Sequence, residues 1–260
     1  MTDSILVDHA FPPMAVVTLN RPSKRNAVTL HMWRQLAQTF TTLSADGTVR
    51  AILLTGYGAH FSAGADIYEF QSLRHDAKAG GDYDSTVDAA VESIMSSSKP
   101  TIAAIAGVCV GGGCSLAMAC DFRIAQSNAT FGIPAARLGI VYGALDTRNL
   151  MALVGVANAK RILFSGETIA ATDALRMGLI DEVTNDSPFD AARDFGHLLA
   201  ANAPISIAGS KSIIAALHSP LSDDCRTAAI RWQRSSLNSS DYQERVRAYI
   251  EKRRATFDDV

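Results

Sequence analysis

The chain has 260 residues, of which 48% are hydrophobic and 19% charged, and its formal net charge is -2. This length and composition allow one large core, and the near-neutral charge offers no basic field for a nucleic-acid backbone. No apolar run is long enough to span a bilayer, and the N-terminus lacks a basic start followed by an apolar stretch. We therefore expect a cytoplasmic protein without nucleic-acid or membrane partners.

The first half of the chain alternates strand and helix patterns. Met14–Asn20 is a β-branched run closed by Asn-Arg-Pro, which indicates a strand ending in a turn. Residues 33–43 place four large apolar side chains at helical spacing, and Arg50–Thr55 indicates a second strand. Residues 71–86 are polar and contain Gly-Gly, which predicts a loop or a frayed helix end. Thr101–Val110 is small and apolar throughout, which predicts one strand buried on both faces.

The second half indicates an α/β architecture. Short strands are predicted at Phe122–Ala125 and Ala129–Gly132, with helical patterns between and after them. From Pro188 onward the pattern is helical. We therefore divide the chain into an α/β core domain over 1–187 and a helical C-terminal region over 188–260.

The cysteines give no sign of a metal site. The chain has four, with no CxxC pair and no histidine at metal-ligand spacing. We expect reduced and mostly buried thiols.

Two glycine-rich turns stand where a strand pattern gives way to a helix pattern. They are Phe61–Asp66 (FSAGAD) and Val110–Ser115 (VGGGCS). Backbone N–H groups at a helix start have no intrahelical acceptor, and glycine allows close approach to a ligand. Two such donors converging on one point would hold the negative charge that develops on a carbonyl oxygen. Taken singly, either turn is more typical of ordinary chain reversal.

Further motifs run along nearly the whole chain. They are NRP at 20–22, SAGADI at 62–67, KPTIAA at 99–104, GGGC at 111–114, ACDFR at 119–123, FGIP at 131–134, LG at 138–139, SGE at 165–167, ALRMGL at 174–179 and EKRR at 251–254. In order and spacing the chain resembles the crotonase (enoyl-CoA hydratase/isomerase) superfamily. The resemblance implies an α/β spiral of repeated ββα units with a helical C-terminal region, assembled as a homotrimer or a dimer of trimers.

The resemblance also implies an acyl-CoA substrate and places its contacts. The two oxyanion-hole N–H groups would be those of Ala65 and Gly112. Coenzyme A would arrive as part of the substrate, with no tightly bound cofactor and no metal. The implied CoA-binding residues are Lys24, Arg25, Ala63, Ile67 and Lys252, although a lysine or arginine taken alone is more typical of a solvated surface.

Two positions depart from the hydratases of this family. Typical members carry one glutamate directly after the GGGC turn and another after the FGxP turn, and the pair activates water by acid–base work. Here those positions are Ser115 and Ala135. Serine can hold a water but is no base near neutral pH without an activator, and alanine can do neither. The standard hydratase mechanism is therefore not expected.

Residues 138–148 offer substitutes. The stretch ending at Tyr142 is similar to the segment of methylmalonyl-CoA decarboxylases that supplies a pocket tyrosine, so Tyr142 is a candidate for orienting a substrate group, with core packing as the alternative. Asp146 is a candidate acid or base, with an ion pair to Arg148 as the alternative. Ser115 is a candidate water ligand.

Three functions fit these residues. The first is an acyl-CoA lyase, either decarboxylase-like or a non-standard hydratase, because an oxyanion hole can do most of the work once an enolate forms. The second is a hydrolase of CoA esters or diketones on the same fold. The third is a catalytically silent CoA-binding protein, which the two intact turns disfavour.

Overall fold

A computed structural model gives the positions of residues 4–69, 73, 77–138 and 141–217, and of single residues 240, 244, 251, 253 and 256. Within these residues the chain forms nine strands and seven α-helices. The strands are β1 (Ile5–Phe11), β2 (Met14–Leu19), β3 (Ala51–Gly56), β4 (Thr101–Ile105), β5 (Val108–Val110), β6 (Phe122–Gln126), β7 (Thr130–Gly132), β8 (Ile169–Ala170) and β9 (Glu182–Thr184). The helices are α1 (Leu30–Ala45), α2 (Ala77–Met95), α3 (Gly112–Ala119), α4 (Ala144–Ser165), α5 (Ala171–Met177), α6 (Pro188–Ala200) and α7 (Pro204–Leu217).

The strands form two sheets. The larger has the order β1-β2-β3-β4-β6-β9, with β1 antiparallel to β2 and every other pair parallel. The smaller has the order β5-β7-β8, with β5 and β7 parallel. The sequence pattern gives no sign of β1, because only Ile5 of that strand is buried and no apolar alternation marks it.

One connection is repeated four times along the chain. Each repeat places a strand in the larger sheet, then a short extended segment in a second layer, then a helix or helical turn. The first two second-layer segments pair through isolated parallel bridges. Val28 in the first segment pairs with Ala65 in the second, and Ser62 in the second pairs with Cys109 in β5. The next two are β5 and β7. The predicted α/β spiral of ββα units is therefore confirmed, and neighbouring repeats pair in the second layer.

Apolar side chains fill both faces of the larger sheet. The side chains predicted to face inward from residues 33–43 are all buried in α1. That helix begins after Thr29, whose Oγ1 accepts a hydrogen bond from Met32 N at 3.2 Å. The other face is covered by α6, where Phe195 packs edge-on against Phe122 with ring centroids 4.9 Å apart.

The sequence predicts a loop or a frayed helix end over residues 71–86. The structure places residues 77–86 in α2 and so excludes the loop for that part, because the core contact with α1 outweighs weak local helix preference. A second expectation is wrong. Thr101–Val110 is two strands in different sheets rather than one. The chain passes from the larger sheet to the smaller one at Gly107. Its φ of +52° favours glycine, and a Cβ there would lie 2.3 Å from Ala59 O.

The C-terminal region is helical over α6 and α7. The charged helix predicted at 241–254 lies outside the described residues apart from isolated positions, and the division of the chain at 187 stays a prediction. Among the described residues, no single helix has the length and apolar character needed to cross a bilayer, and only α6 and α7 taken together, bent by 106°, meet those criteria.

Candidate active site

Parallel pairing in the second layer decides where the two glycine-rich turns lie. Ser62 pairs with Cys109 in a parallel bridge, and Val110 N–H donates to Ser62 O at 3.0 Å. If this pairing register continues for three residues along both segments, Ala65 lies opposite Gly112. The two turns therefore meet because adjacent repeats share one strand register.

The N–H groups of Ala65 and Gly112 lie close together. A Cβ atom built on Gly112 would lie 3.3 Å from Ala65 N. Because Cβ and N of one residue are roughly 2.5 Å apart, the two nitrogens are at most about 6 Å apart. Within the described residues neither N–H donates a hydrogen bond, whereas Gly111 N–H donates to Gly132 O at 2.8 Å. Two unpaired donors at this spacing are what an oxyanion hole requires.

Close approach of the layers demands glycine at both turns. Gly64 has a φ of +90°, and a Cβ there would lie 2.5 Å from Val110 O. A Cβ on Gly112 would lie 2.9 Å from Cζ2 of Trp33, which packs beneath it from α1. The sequence indicates both glycines as turn residues. The structure shows that neighbouring atoms leave no room for a side chain at either position.

Three polar side chains form a hydrogen-bonded chain beside the second turn. Ser115 Oγ lies 2.6 Å from the hydroxyl of Tyr142 and 2.9 Å from Oδ2 of Asp146. The tyrosine hydroxyl lies 3.3 Å from Gly111 O, in the turn itself. Ser115 is 1% exposed and Asp146 is 5% exposed, and the beginnings of α3 and α4 hold them together. The chain thus leads from the turn into the protein interior.

The surroundings prepare Asp146 to exchange a proton near neutral pH. Burial is the main cause that raises its pKa to about 6, and the charges of Asp88 and Asp84 on α2 act in the same direction, against the Ser115 hydrogen bond. Burial also raises the pKa of Tyr142 well above its ordinary value, with a further contribution from Asp146. Asp146 Oδ1 is buried and has no hydrogen-bond partner within the described residues. Tyr142 therefore stays protonated where Asp146 titrates.

Comparison with known proteins identifies the family. The sequence profile of the family described as Enoyl-CoA hydratase/isomerase matches residues 13–260. The chain belongs to this family. It is 35% identical over 247 residues to the short-chain-enoyl-CoA hydratase of Clostridium acetobutylicum, covering 93% of this chain and 92% of that protein.

Solved structures of this enoyl-CoA hydratase/isomerase family superpose on the whole fold. A putative enoyl-CoA hydratase/isomerase family protein from Hyphomonas neptunium gives a TM-score of 0.94 at 37% identity, covering 99% of this chain and 98% of that one. An enoyl-CoA hydratase/carnithine racemase from Magnetospirillum magneticum gives 0.92 at 34% identity, covering 99% and 96%. The crotonase superfamily predicted from the motifs is therefore confirmed, and this chain is an enzyme of that superfamily. The partial likeness to methylmalonyl-CoA decarboxylases stays a prediction.

The structure describes the surroundings of Ser115 and Ala135, the two positions where the resemblance implies glutamates in typical hydratases. Ser115 occupies the first position and is held between two polar partners, whereas Ala135 occupies the second and is 5% exposed in the core. Asp146 bonds to Ser115 and, among the described residues, forms no ion pair with Arg148. Of the two interpretations of Asp146, the geometry favours the one that links it to the turn.

The predicted thiol state agrees with the structure for the cysteines that it describes. Cys109, Cys114 and Cys120 are free and buried. The thiol of Cys114 donates to Cys109 O at 3.0 Å and is enclosed at the start of α3. Cys225 lies outside the described residues.

Four of the five residues expected to bind CoA lie at one rim of the first turn. Ala63 N–H donates to Arg25 O at 2.8 Å. The ammonium of Lys24 lies 5.3 Å from the ring centroid of Tyr68, which is 87% exposed, and Ile67 beside it is 54% exposed. An exposed rim carrying cations and an aromatic ring suits a nucleotide with phosphates, and the CoA-binding roles stay predictions. Lys252 lies outside the described residues.

Sequence reasoning missed the residues that hold this rim in place. Asn26 is completely buried with a φ of +56°, and its amide donates to His60 O at 2.7 Å while accepting from Arg21 N–H at 2.9 Å. The guanidinium of Arg21 forms an ion pair with Asp66 at 2.9 Å. An asparagine after a turn is a weak signal in sequence, because many exposed turns contain one.

A cavity of about 850 Å³ lies away from the hydrogen-bonded chain. It is bounded by α7 and the end of α3, and Met118, Lys211 and Ile214 are among its lining residues. None of the three residues of the hydrogen-bonded chain lines it. The turns and the polar chain therefore form a site separate from this cavity.

Proposed function

We propose that this enzyme is an acyl-CoA lyase that forms or consumes a thioester enolate. The N–H groups of Ala65 and Gly112 would hold the enolate oxygen, and Tyr142 would exchange a proton with the adjacent carbon. The hydrogen-bonded chain of Tyr142, Ser115 and Asp146 carries the proposal, because it brings an ionisable group to the turn where the family's first glutamate is missing.

The chain has two hydrogen-bond directions, and the protonation of Asp146 selects between them. When Asp146 is ionised, its carboxylate accepts from the Ser115 O–H, and the Ser115 oxygen accepts from the Tyr142 O–H. When Asp146 is protonated, Asp146 donates to Ser115, Ser115 donates to Tyr142, and the Tyr142 proton becomes available to the site. Proton donation from Tyr142 therefore ends with the ionised arrangement and consumes the proton held on Asp146.

Backbone donors would supply the largest part of the rate. Negative charge grows on the thioester oxygen as the enolate forms, and preorganised N–H groups stabilise that charge at no reorganisation cost. Removing one such donor in other enzymes typically costs about a hundredfold to a thousandfold in rate. The polar chain would add the proton transfer, which neither Ser115 nor Ala135 can perform as a base.

Hydrolysis has less support from the same geometry. A hydrolase using Ser115 as nucleophile would need its Oγ open to the acyl carbon and paired with a base. Here Ser115 Oγ is buried and already engaged by Tyr142 and Asp146. A silent CoA-binding protein would have no need for two unpaired N–H groups at facing turns.

The proposal is tested by exchange of the α-proton of butyryl-CoA in D2O, followed by mass spectrometry. This saturated thioester can neither add water nor lose carbon dioxide, so deuterium uptake reports enolate formation alone. We expect exchange with the wild type and at least about tenfold slower exchange with Tyr142→Phe, since the lost hydrogen bond contributes about 0.5 to 1.5 kcal/mol and the proton path is also cut. The melting temperature should change little.

Tyr57→Phe is the matched control, because that tyrosine is 57% exposed and lies outside the polar chain. Its exchange rate should equal that of the wild type. Equal rates for the wild type and Tyr142→Phe would remove Tyr142 from the mechanism. No exchange by the wild type, together with no turnover of an acyl-CoA panel, would leave the silent binding protein as the function.

Trimeric assembly, cytoplasmic location and CoA contacts from Lys252 stay predictions. Size-exclusion chromatography with light scattering will test the first of these directly.

A further inference from the structure

We propose that Trp33 is a positioning residue for the oxyanion hole and that Tyr83 holds its indole in place. The edge of the indole sets the spacing between the N–H groups of Ala65 and Gly112. The inference rests on the proposed function, because it concerns the hole that receives the enolate oxygen. It brings α1 and the first two turns of α2 into the construction of the site.

The indole edge of Trp33 lies against the second glycine-rich turn. A Cβ atom built on Gly112 would lie 2.9 Å from Cζ2 of the indole and 3.2 Å from Cη2. Because a Cβ atom is roughly 1.5 Å from its Cα, the edge is in van der Waals contact with the turn. Trp33 is completely buried, so its ring is enclosed by packed neighbours and supports the turn firmly.

The remaining contacts of the second turn are with the first turn, backbone against backbone. A Cβ atom built on Gly64 would lie 2.5 Å from Val110 O and 3.1 Å from Gly112 N. On the Cβ side of Gly112, the two nearest atoms belong to Trp33 and the third is Ala65 N. A shorter side chain at position 33 therefore leaves a gap into which the turn can shift, and the spacing of the two N–H groups changes with it.

A hydrogen bond from α2 fixes the orientation of the indole. Nε1–H of Trp33 donates to the hydroxyl of Tyr83 at 3.3 Å, and Tyr83 is 3% exposed. A buried indole N–H without an acceptor is costly, so rotation of the ring is opposed by loss of this bond. Tyr83 lies in the polar part of α2 that becomes helical by packing on α1. That packing is therefore what places the hydroxyl.

A small displacement at an oxyanion hole has a large effect on rate. Both donors stabilise the enolate only when each lies within hydrogen-bond distance of the same oxygen atom. A misplacement of about 1 Å can cost about a hundredfold in rate. Loss of the indole edge allows a smaller shift, because the two turns still touch each other and the gap closes only in part.

Trp33→Phe tests the proposal by α-proton exchange of butyryl-CoA in D2O at saturating thioester. The smaller ring lacks the indole edge and the N–H group. We expect the saturated rate to fall about tenfold, in line with a displacement well below 1 Å. The dissociation constant of butyryl-CoA, measured by isothermal titration calorimetry, should change less than about threefold, because the hole stabilises the enolate more than the bound thioester.

Phe40→Leu is the matched control. Phe40 is completely buried on the same helix and lies seven residues further along α1, which is roughly 10 Å. The substitution also removes a buried ring and should lower the melting temperature. Its saturated exchange rate should equal that of the wild type.

A double variant distinguishes positioning from general loss of packing. The methyl group of Gly112→Ala meets the indole edge, and Trp33→Phe removes that edge. Exchange by Gly112→Ala/Trp33→Phe should therefore be at least about threefold faster than by Gly112→Ala, although each substitution alone slows it. Independent structural damage would instead make the double variant slower than either single variant.

Tyr83→Phe keeps the ring and removes the hydroxyl that accepts from the indole. We expect the saturated rate to fall about threefold with the dissociation constant unchanged. This variant removes little core volume, so it decides the matter if Trp33→Phe does not fold.

Wild-type rates in both Trp33→Phe and Tyr83→Phe, or a double variant slower than Gly112→Ala, would overturn the positioning role and leave the proposed lyase function standing. A wild-type rate in Tyr83→Phe alone would remove Tyr83 from the proposal. If the wild type itself exchanges no α-proton, the proposed function fails and the positioning role falls with it.

Discussion

The backbone end of this site and its side-chain end are built by different means. At the backbone end, strand pairing between adjacent repeats sets Ala65 opposite Gly112, and glycine is required because Trp33 and a neighbouring carbonyl leave no room. At the side-chain end, Ser115 comes from α3 and both Tyr142 and Asp146 from the start of α4, so the three touch only because two helix starts meet.

The difference explains which part of the site matches the family and which part departs from it. Removing the backbone end would require a change of register or a bulky side chain at a closed turn, and either would disturb the core. The side-chain end can be exchanged by single substitutions that leave the fold intact. This chain accordingly has both glycine turns, and we expect it to use a different set of acid–base groups.

The largest expected effect compares this side-chain end with that of the family's hydratases. Each general acid or base contributes about a hundredfold to ten-thousandfold, and the resemblance sets Ser115 and Ala135 where typical hydratases carry glutamate. We therefore expect crotonyl-CoA hydration at least about a thousandfold slower than by a two-glutamate hydratase assayed in parallel by loss of the enoyl absorbance. Turnover near that of the reference enzyme would show that the polar chain fully replaces the glutamates.

Gly112→Ala breaks the backbone end. The new Cβ would lie 2.9 Å from Trp33 and 3.3 Å from Ala65 N. The N–H groups of Ala65 and Gly112 must therefore move apart. We expect α-proton exchange to fall about a hundredfold to a thousandfold, the cost of losing one oxyanion donor.

Gly81→Ala is the control for this change, since a Cβ there meets nothing within 4 Å on α2. It should leave exchange unchanged and stabilise the helix by up to about 1 kcal/mol. Full exchange activity in Gly112→Ala, with the fold retained by circular dichroism, would remove the second turn from the mechanism.

The pH dependence of α-proton exchange in Asp146→Asn tests the side-chain end of the site. Removing the α-proton requires ionised Asp146, so exchange by the wild type should rise with pH through about 6. The variant should lose this rise and exchange on the order of tenfold more slowly at pH 8.

Ser115→Ala should behave in the same way because it cuts the path, while Ser115→Thr keeps a hydroxyl and should restore part of the rate. A rise near pH 6 that persists in Asp146→Asn would assign the titration to another group.

The last expected effect concerns the free energy of unfolding rather than a rate, measured by urea unfolding of the wild type and Asp146→Asn between pH 4 and pH 8. A raised folded-state pKa means that the folded protein holds its proton more tightly than the unfolded chain, whose aspartate titrates near about 3.9. The wild type should therefore lose about 2 to 3 kcal/mol as pH rises from about 4 through 6.

Asparagine resembles the protonated acid, so the variant should be the more stable protein at pH 8 and similar to the wild type near pH 4. A variant less stable than the wild type at pH 8 would show that the charged form of Asp146 is well solvated in the folded protein.

Local patterns predicted those parts of the fold that depend on near neighbours. The apolar spacing in 33–43 predicted α1, and the turns around Gly64 and Gly112 were visible as glycine between strand and helix patterns. The strand β1 was missed because its side chains are exposed. The start of α2 was left open between a loop and a frayed helix end, because its polar residues gain order from packing on α1. In both cases long-range contact outweighed local preference.

The sequence by itself determined the family and both turns, and it made Tyr142 and Asp146 candidates. Only the tertiary structure decided that these groups form one site. Ser115 meets residues 27 and 31 positions away along the chain. The burial that prepares Asp146 to titrate comes from helices packed together. Periodicity reports contacts within a few residues, whereas register and helix packing join distant segments through the whole core.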